Sequence, residues 1–401
     1  MISARTRAWW RATLALCLGS FLVFINLYVP QPLLPDLQQT YGVSTLAVSF
    51  VMSAATLSLA AALLVFGPLS DAVGRESIMR YSLLLAGVCS IVLAFAPNFT
   101  ALLALRLLQG FVLGGLPAVA IAWMGDEFDK PALLGAVGLY IGANSLGGIS
   151  GRVIGGIVAD IGGAPAAFVT VGVITLVGGV VFWRLLPRSQ AFTPQRFHVA
   201  TAVADLYQHL CTPVLLAAYV LGGINFMVFI NQYSYITFRL ANAPYSLAAS
   251  SLGLIFLTYL SGTAGSMLSG RLAAQLSPAR CMILGVVILM LGTAITRAES
   301  LTLIILGLTV NAFGFFLAHS LASSWVGRNA QRARGSASAL YLVFYYTGAS
   351  LGGFWLEPFW LWDGWAGVTL ASWLLFGVTL CMAIWLRRVE RRQEQAAVEK
   401  S

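Results

Sequence analysis

Charge is what this sequence has least of. Only 9% of its 401 residues are charged, as 23 basic and 14 acidic side chains, with three histidines beside them. A soluble chain of this length carries charge on about a quarter of its residues, so a surface facing water on all sides is excluded. The five cysteines (Cys17, Cys89, Cys211, Cys281 and Cys381) each lie in or at the end of an apolar run. Their scatter excludes a disulfide framework and a zinc site. No cluster of His, Asp or Cys stands at one depth, which excludes a membrane-embedded enzyme and leaves no cofactor to expect. There is no Gly-x-x-x-x-Gly-Lys-Ser/Thr loop and no large polar domain, so energy from a bound nucleotide is excluded too. Low-complexity segments are absent.

What is there is hydrocarbon: 59% of residues are hydrophobic. Twelve apolar runs of about 20 residues, the length that crosses a bilayer as helix, lie near 11–35, 43–66, 77–96, 99–124, 131–157, 164–186, 210–238, 246–274, 279–297, 300–322, 335–358 and 364–387. They are continuous rather than alternating, which excludes a membrane β-barrel. The net charge of +9 reads at first as a nucleic-acid signal, but its distribution excludes that partner. With the N-terminus in the cytoplasm, every Lys and Arg except Arg106, Arg152, Arg239 and Arg297 falls on the inner side. This is the positive-inside pattern, with both termini cytoplasmic and the basic residues meeting anionic lipid headgroups.

The chain also repeats itself. Val23-Phe-Ile-Asn26-Leu-Tyr28 returns as Val228-Phe-Ile-Asn231-Gln-Tyr233, and Ser145-Leu-Gly-Gly148 as Ser350-Leu-Gly-Gly353. Arg75 matches Arg280 at the same spacing, and Trp123-x-Gly125 matches Trp325-x-Gly327 close to it. The expected organisation is therefore an all-α membrane protein of twelve transmembrane helices in two pseudo-symmetric halves. The N-terminal half is 1–186, a cytoplasmic linker is 187–209, the C-terminal half is 210–388, and a cytoplasmic tail is 389–401. The linker holds Pro187, Pro194, His198 and His209, and both histidines are expected to be solvated.

Between the second and third runs lies Gly67-x-Leu69-x-Asp71-x-x-Gly74-Arg75, read as a short polar turn in which Pro68 ends the preceding helix. Parallel six-span repeats with this loop resemble the major facilitator superfamily of transporters. The second-half loop, Gly270 to Arg280, resembles a degenerate copy without the aspartate, and Arg106-x-x-Gln109-Gly110 resembles the second family motif. Asn26-Leu-Tyr28-x-Pro-Gln31-Pro32-Leu-Leu-Pro35 is similar to the opening of the YnfM-type, acriflavine-sensitivity branch of bacterial efflux permeases. The resemblance implies a monomeric secondary transporter of the bacterial inner membrane, working by alternating access and driven by protons. It implies efflux of small amphipathic or sugar-like compounds. Proton-coupled uptake of a metabolite is the alternative on the same fold, and a receptor or sensor is the alternative from another class. The first span lacks a mid-membrane acid, which suits neutral or anionic solutes better than cationic ones.

The resemblance further implies that spans 1, 4, 7 and 10 line a cavity. Buried polar residues fit that assignment: Asn26, Tyr28, Gln31, Arg106, Gln109, Asn225, Asn231, Gln232, Tyr235, Asn311 and His319. Asn225, Gln232 and Tyr235 share a helical face by spacing. Such groups are costly in hydrocarbon, so they meet water, a ligand, or one another as interhelical glue. Arg106 reads either as a residue of proton coupling or anion binding, or as a fixed partner of carbonyls on a neighbouring span. Arg152 and Glu357 occupy equivalent places in the repeat, either as an outer latch between opposite charges or as two snorkelling residues. By the resemblance, Asp71 caps the helix start near Arg334-Gly335, forming a cytoplasmic gate with Gly67, Gly74, Arg75 and Arg334. His319 reads as a titrating group or as a packed, hydrogen-bonded one. Antiporters of the superfamily usually carry Gly-Pro-x-x-Gly-Gly in span 5, where this chain has Ala143-Asn144-Ser-Leu-Gly147-Gly148.

Overall fold

A computed structural model describes residues 2–189 and 199–398. Nearly all are helical, and apart from an isolated bridge between Ile2 and Phe128 there is no β-structure among them. In chain order the helices are α1 (Arg7–Tyr28), α2 (Leu34–Tyr41), α3 (Thr45–Val73), α4 (Arg75–Leu93), α5 (Phe99–Leu113), α6 (Gly115–Glu127) and α7 (Lys130–Leu185). There follow α8 (Val199–Leu210), α9 (Pro213–Ala241), α10 (Ala249–Ile255), α11 (Tyr259–Leu276), α12 (Pro278–Ile295), α13 (Leu301–Asn329) and α14 (Arg334–Val398).

Short polar residues start the helices, because a side-chain oxygen satisfies an N–H that has no intrahelical partner. Thr6 accepts from the Trp9 amide, Ser44 from Ala47, Asn98 from Ala101 and Asp129 from Ala132. Ten helical stretches among the described residues are long and apolar enough to cross a bilayer. The two longest are each double. Helical geometry fails in α7 at Gly162 and Gly163 (φ 74°) and in α14 at Asp363 and Gly364 (φ 51°), which divides them into spans 5 and 6 and spans 11 and 12. Proline shapes span 1, where α1 gives way after Tyr28 to a single 3-10 turn, Gln31–Leu33, before α2.

The turn between spans 2 and 3 is shorter than expected. α3 runs on through Gly67 and Pro68 to Val73, so Pro68 does not end it. A proline forfeits one i−4 hydrogen bond, here the one to the Leu64 carbonyl, and α3 continues beyond it nonetheless: the Ser70 hydroxyl donates to the Gly67 carbonyl at 2.6 Å and the Gly74 amide to that of Ser70. The whole reversal falls on Gly74, at φ 94° and ψ 131°. Ser277 makes the matching turn of the second half at φ 91° and ψ 150°, with its hydroxyl donating to Glu390 at 2.9 Å. No atom lies within 4 Å of a Cβ added at Gly74. Gly74→Ala is therefore expected to cost only backbone strain, about 1–2 kcal/mol. Thermal unfolding in detergent checks it, and an unchanged melting temperature would contradict the argument.

Two compact units are distinguished: Met1–Phe197 with Thr237–Phe256, and His198–Ile236 with Leu257–Ser401. In the first, α1 lies along α7 with backbones in contact. In the second, buried Leu215, Tyr219, Met282, Leu317, Leu321, Trp325 and Tyr341 form the core between α9, α12, α13 and α14. Large apolar side chains face outward, among them Phe95, Ile161, Met267 and Leu361. In water such a surface would aggregate; in lipid it is solvated. Linker residues 190–198, Pro194 and His198 included, lie outside the described residues. His209, expected to be solvated, is buried at the end of α8. The reason is that α8 packs its Leu206 face on the core and leaves Val203, Tyr207 and Leu210 exposed.

Candidate functional site

In the first unit Asn26 and Gln109 converge on Arg106, which is fully buried on α5. α1 ends just before Pro30, which has no N–H to offer, so the carbonyls of Asn26 and Leu27 are among the four that a helix end leaves open. The Arg106 guanidinium takes both, at 3.2 and 2.9 Å. Its Nε donates to the Val51 carbonyl of α3 at 2.9 Å, and Nη1 to the Gln109 Oε1. Of the two readings of Arg106, this geometry is the fixed pairing with carbonyls on neighbouring spans. Gln109 then donates to the Ser90 hydroxyl at 2.6 Å and to Asn26 at 3.3 Å, while Ser90 donates to Asn26. Asn26 itself donates to Thr175 at 2.6 Å. The result is an amide–hydroxyl–amide triangle joining spans 1, 3 and 4, with a branch to span 6.

Arg152 is buried rather than snorkelling, at 1% exposure. Its Nε donates to Gln31 at 2.7 Å and Nη1 to the Gly148 carbonyl at 2.8 Å. Its guanidinium carbon lies 4.0 Å from the centre of the Tyr28 ring and 4.5 Å from that of Phe256. A cation held between two ring faces is stabilised by their negative quadrupoles. Asn144, at the place where the antiporter element carries proline, accepts the Ser20 hydroxyl. Of the expected cytoplasmic gate, Arg75 pairs with Asp126 of α6. The side chains of Asp71 and Arg334 lie outside the described residues, and Gly67 sits inside α3 rather than at the turn.

The second unit builds the triangle again from different residues. Asn311 donates to Gln232 at 3.0 Å and to Thr293 at 2.9 Å, and Gln232 donates to Thr293 at 3.2 Å. Spans 7, 9 and 10 meet here as spans 1, 3 and 4 do in the first unit. Asn225, Gln232 and Tyr235 do not act as one face. Gln232 turns to α12 and α13, while Tyr235 donates to Glu357 of α14 at 2.7 Å. Their spacing leaves about 60° between Gln232 and Tyr235 around the helix, enough to reach different neighbours. Asn231 donates to the Met227 and Ala349 carbonyls, each at 2.8 Å. Asn225 is buried with neither polar side-chain atom hydrogen-bonded among the described residues. His319 takes the packed form: its Nδ1 lies 2.9 Å from the Tyr341 hydroxyl, and its ring stacks on Phe315.

Sequence reasoning misses Ser90, Thr175 and Thr293. The repeat carries the signal, since Ser90 precedes Gln109 much as Thr293 precedes Asn311, but a lone hydroxyl in an apolar run does not stand out. Among the described residues no group of His, Cys, Asp and Glu is placed to hold a metal ion.

The family model of the Major Facilitator Superfamily matches residues 16–353. The chain belongs to that superfamily. The match extends beyond the fold: this superfamily member is 35% identical over 376 residues to the MFS-type transporter YybF of Bacillus subtilis (strain 168), covering 94% of this chain and 92% of that one. It is 34% identical over 387 residues to the inner membrane transport protein YnfM of Escherichia coli (strain K12), covering 96% and 93%. Among solved structures, a bacterial homologue of the human lysosomal transporter Spinster superposes with a TM-score of 0.74 at 15% identity, covering 96% of each chain. This superfamily member is a multi-pass membrane transporter and not an enzyme.

Proposed function

We propose that this transporter works in the bacterial inner membrane with both termini cytoplasmic, exporting small neutral or anionic amphipathic or sugar-like solutes in exchange for protons. The observation that carries the proton coupling is Glu357. It is an acid at 6% exposure within a membrane segment, hydrogen-bonded by the Tyr235 hydroxyl. An ionisable group at membrane depth is expensive to keep there and marks an ion pathway by default. Protonated, Glu357 gains an O–H to donate; ionised, it accepts from Tyr235. The protonated acid can donate to the Tyr235 hydroxyl, which then has the Gly353 carbonyl at 3.4 Å as its own acceptor. Export is favoured by the resemblance of the span 1 opening to efflux permeases, and the inner membrane by the name of YnfM. Neutral or anionic solutes follow from a first span that carries Asn26, Tyr28 and Gln31 but no mid-membrane acid. Arg152, held by Tyr28 and Gln31, would be released or retained as the solute enters between them.

The test is a proteoliposome screen of candidate solutes under an imposed pH gradient, with internal pH as the readout. Solute movement accompanied by proton counterflow is the expected result. Glu357→Gln is expected to abolish gradient-driven transport while solute-for-solute exchange persists. Gradient-driven transport at the unaltered rate in Glu357→Gln would overturn this assignment.

A further inference from the structure

A groove of about 760 Å³ opens on the outer surface of the second unit, between α9 and the final part of α14. One wall is Pro213, Leu216, Ala217 and Val220; the other runs from Leu374 through Gly377, Val378, Cys381 and Met382 to Trp385. Every lining residue is apolar. Those on α14 recur at intervals of three and four, so they form one stripe along the helix. At 1.5 Å per residue, Leu374 to Trp385 spans about 16 Å, close to half of the roughly 30 Å hydrocarbon core. The groove is one leaflet deep.

The stripe does not end at Trp385. Continued by one and two turns on the same face it reaches Arg388 and Arg392, both exposed. Arg387, off that face, is already paired with Glu390 at 2.8 Å. Tryptophan at the junction of an apolar stripe and exposed arginines is where the headgroup level of a bilayer falls. A groove lined only by hydrocarbon offers nothing to a polar solute, and two guanidinium groups at its mouth select a negative charge with phosphate geometry.

We infer that this groove is a site for one anionic phospholipid, its acyl chain lying between α9 and α14 and its phosphate held by Arg388 and Arg392. Gly377 keeps the channel open: no atom lies within 4 Å of a Cβ added there. A large side chain at 377 therefore enters the groove without meeting backbone.

Native mass spectrometry of the delipidated full-length protein, titrated with phosphatidylglycerol and separately with phosphatidylethanolamine of the same acyl chains, tests this. One phosphatidylglycerol is expected to bind about ten-fold or more tightly than phosphatidylethanolamine. Gly377→Phe, which blocks the chain, and Arg388→Gln with Arg392→Gln, which removes the charge, are each expected to lose that preference. Gly377→Ala is expected to keep it. The two blocking variants act through different parts of the site, so a folding defect in one leaves the other informative. Equal affinity for the two lipids in the unaltered protein, or a preference that survives both variants, overturns the site. So does loss of solute transport in Gly377→Phe with phosphatidylglycerol binding intact, which would make the groove a solute entrance instead.

Discussion

Arg106→Ala is expected to destabilise the folded protein by about 3 kcal/mol, the largest effect of any single polar substitution in the first half. Two effects oppose each other. Removing a guanidinium from the membrane interior relieves about 2.5–3.5 kcal/mol of insertion cost. Against that, the carbonyls of Asn26 and Leu27 at the open end of α1 and the Gln109 Oε1 lose their donor while remaining buried, whereas the Val51 carbonyl keeps its place in the α3 ladder. Each buried polar group left unmade costs about 1–3 kcal/mol, and the emptied volume adds to it. Three such groups, together with the emptied volume, outweigh one relieved charge. Arg106→Lys is expected to recover only part of the loss, because an ammonium presents its donors from one point and does not reach α1 and α3 together. Melting of the purified protein in detergent decides this. A variant that melts with the unaltered protein would show that Arg106 is not what closes the end of α1.

Gly151→Ala is expected to do comparable damage with a single methyl group. A Cβ at Gly151 would lie 2.5 Å from the Ile25 carbonyl oxygen and 2.8 Å from its Cα. One helical turn earlier, Gly147 stands in the same relation to Phe21. These are backbone atoms of α1, which no side-chain rotation moves aside, so the two helices must separate along their length. Separation loosens the Arg152 contacts with Tyr28 and Gln31, because Arg152 follows Gly151 directly. Overpacking of a rigid contact costs about 1–3 kcal/mol and sometimes more. The Gly147→Ala, Gly151→Ala pair is expected to give little monodisperse protein by fluorescence-detected size exclusion. Gly138, on the same helix with nothing within 4 Å of an added Cβ, is the control. There alanine is expected to be neutral or to stabilise by up to about 1 kcal/mol. Equal behaviour of Gly138→Ala and Gly151→Ala would refute the close-contact explanation.

Much of the fold is legible in the amino-acid order, and the reasons are local. A bilayer crossing needs a certain length of hydrocarbon, so the runs announce themselves, and the helix breaks at 162–163 and 363–364 fall where two expected spans meet. Less legible is how turns are divided. Gly67-Pro68 carries the residues of a turn, yet α3 passes through it and Gly74 alone reverses the chain. In the second half a serine adopts nearly the same backbone angles, held by Glu390 more than a hundred residues away. Nothing near Ser277 in sequence indicates that tether.

The amino-acid order by itself determined the solvent, the number of crossings, the duplication and the family, because each rests on composition, periodicity or short motifs. Tertiary structure alone decided which polar side chains meet. Asn26, Ser90 and Gln109 are separated by dozens of residues, or by nineteen at the least. Whether each faces water or one another depends on how three helices are rotated about their axes. That rotation is set by packing summed over whole helix faces, with glycines such as Gly151 fixing how closely the axes approach. It is why Arg106, conspicuous as a charge in an apolar run, takes its partners from the open end of a helix eighty residues earlier.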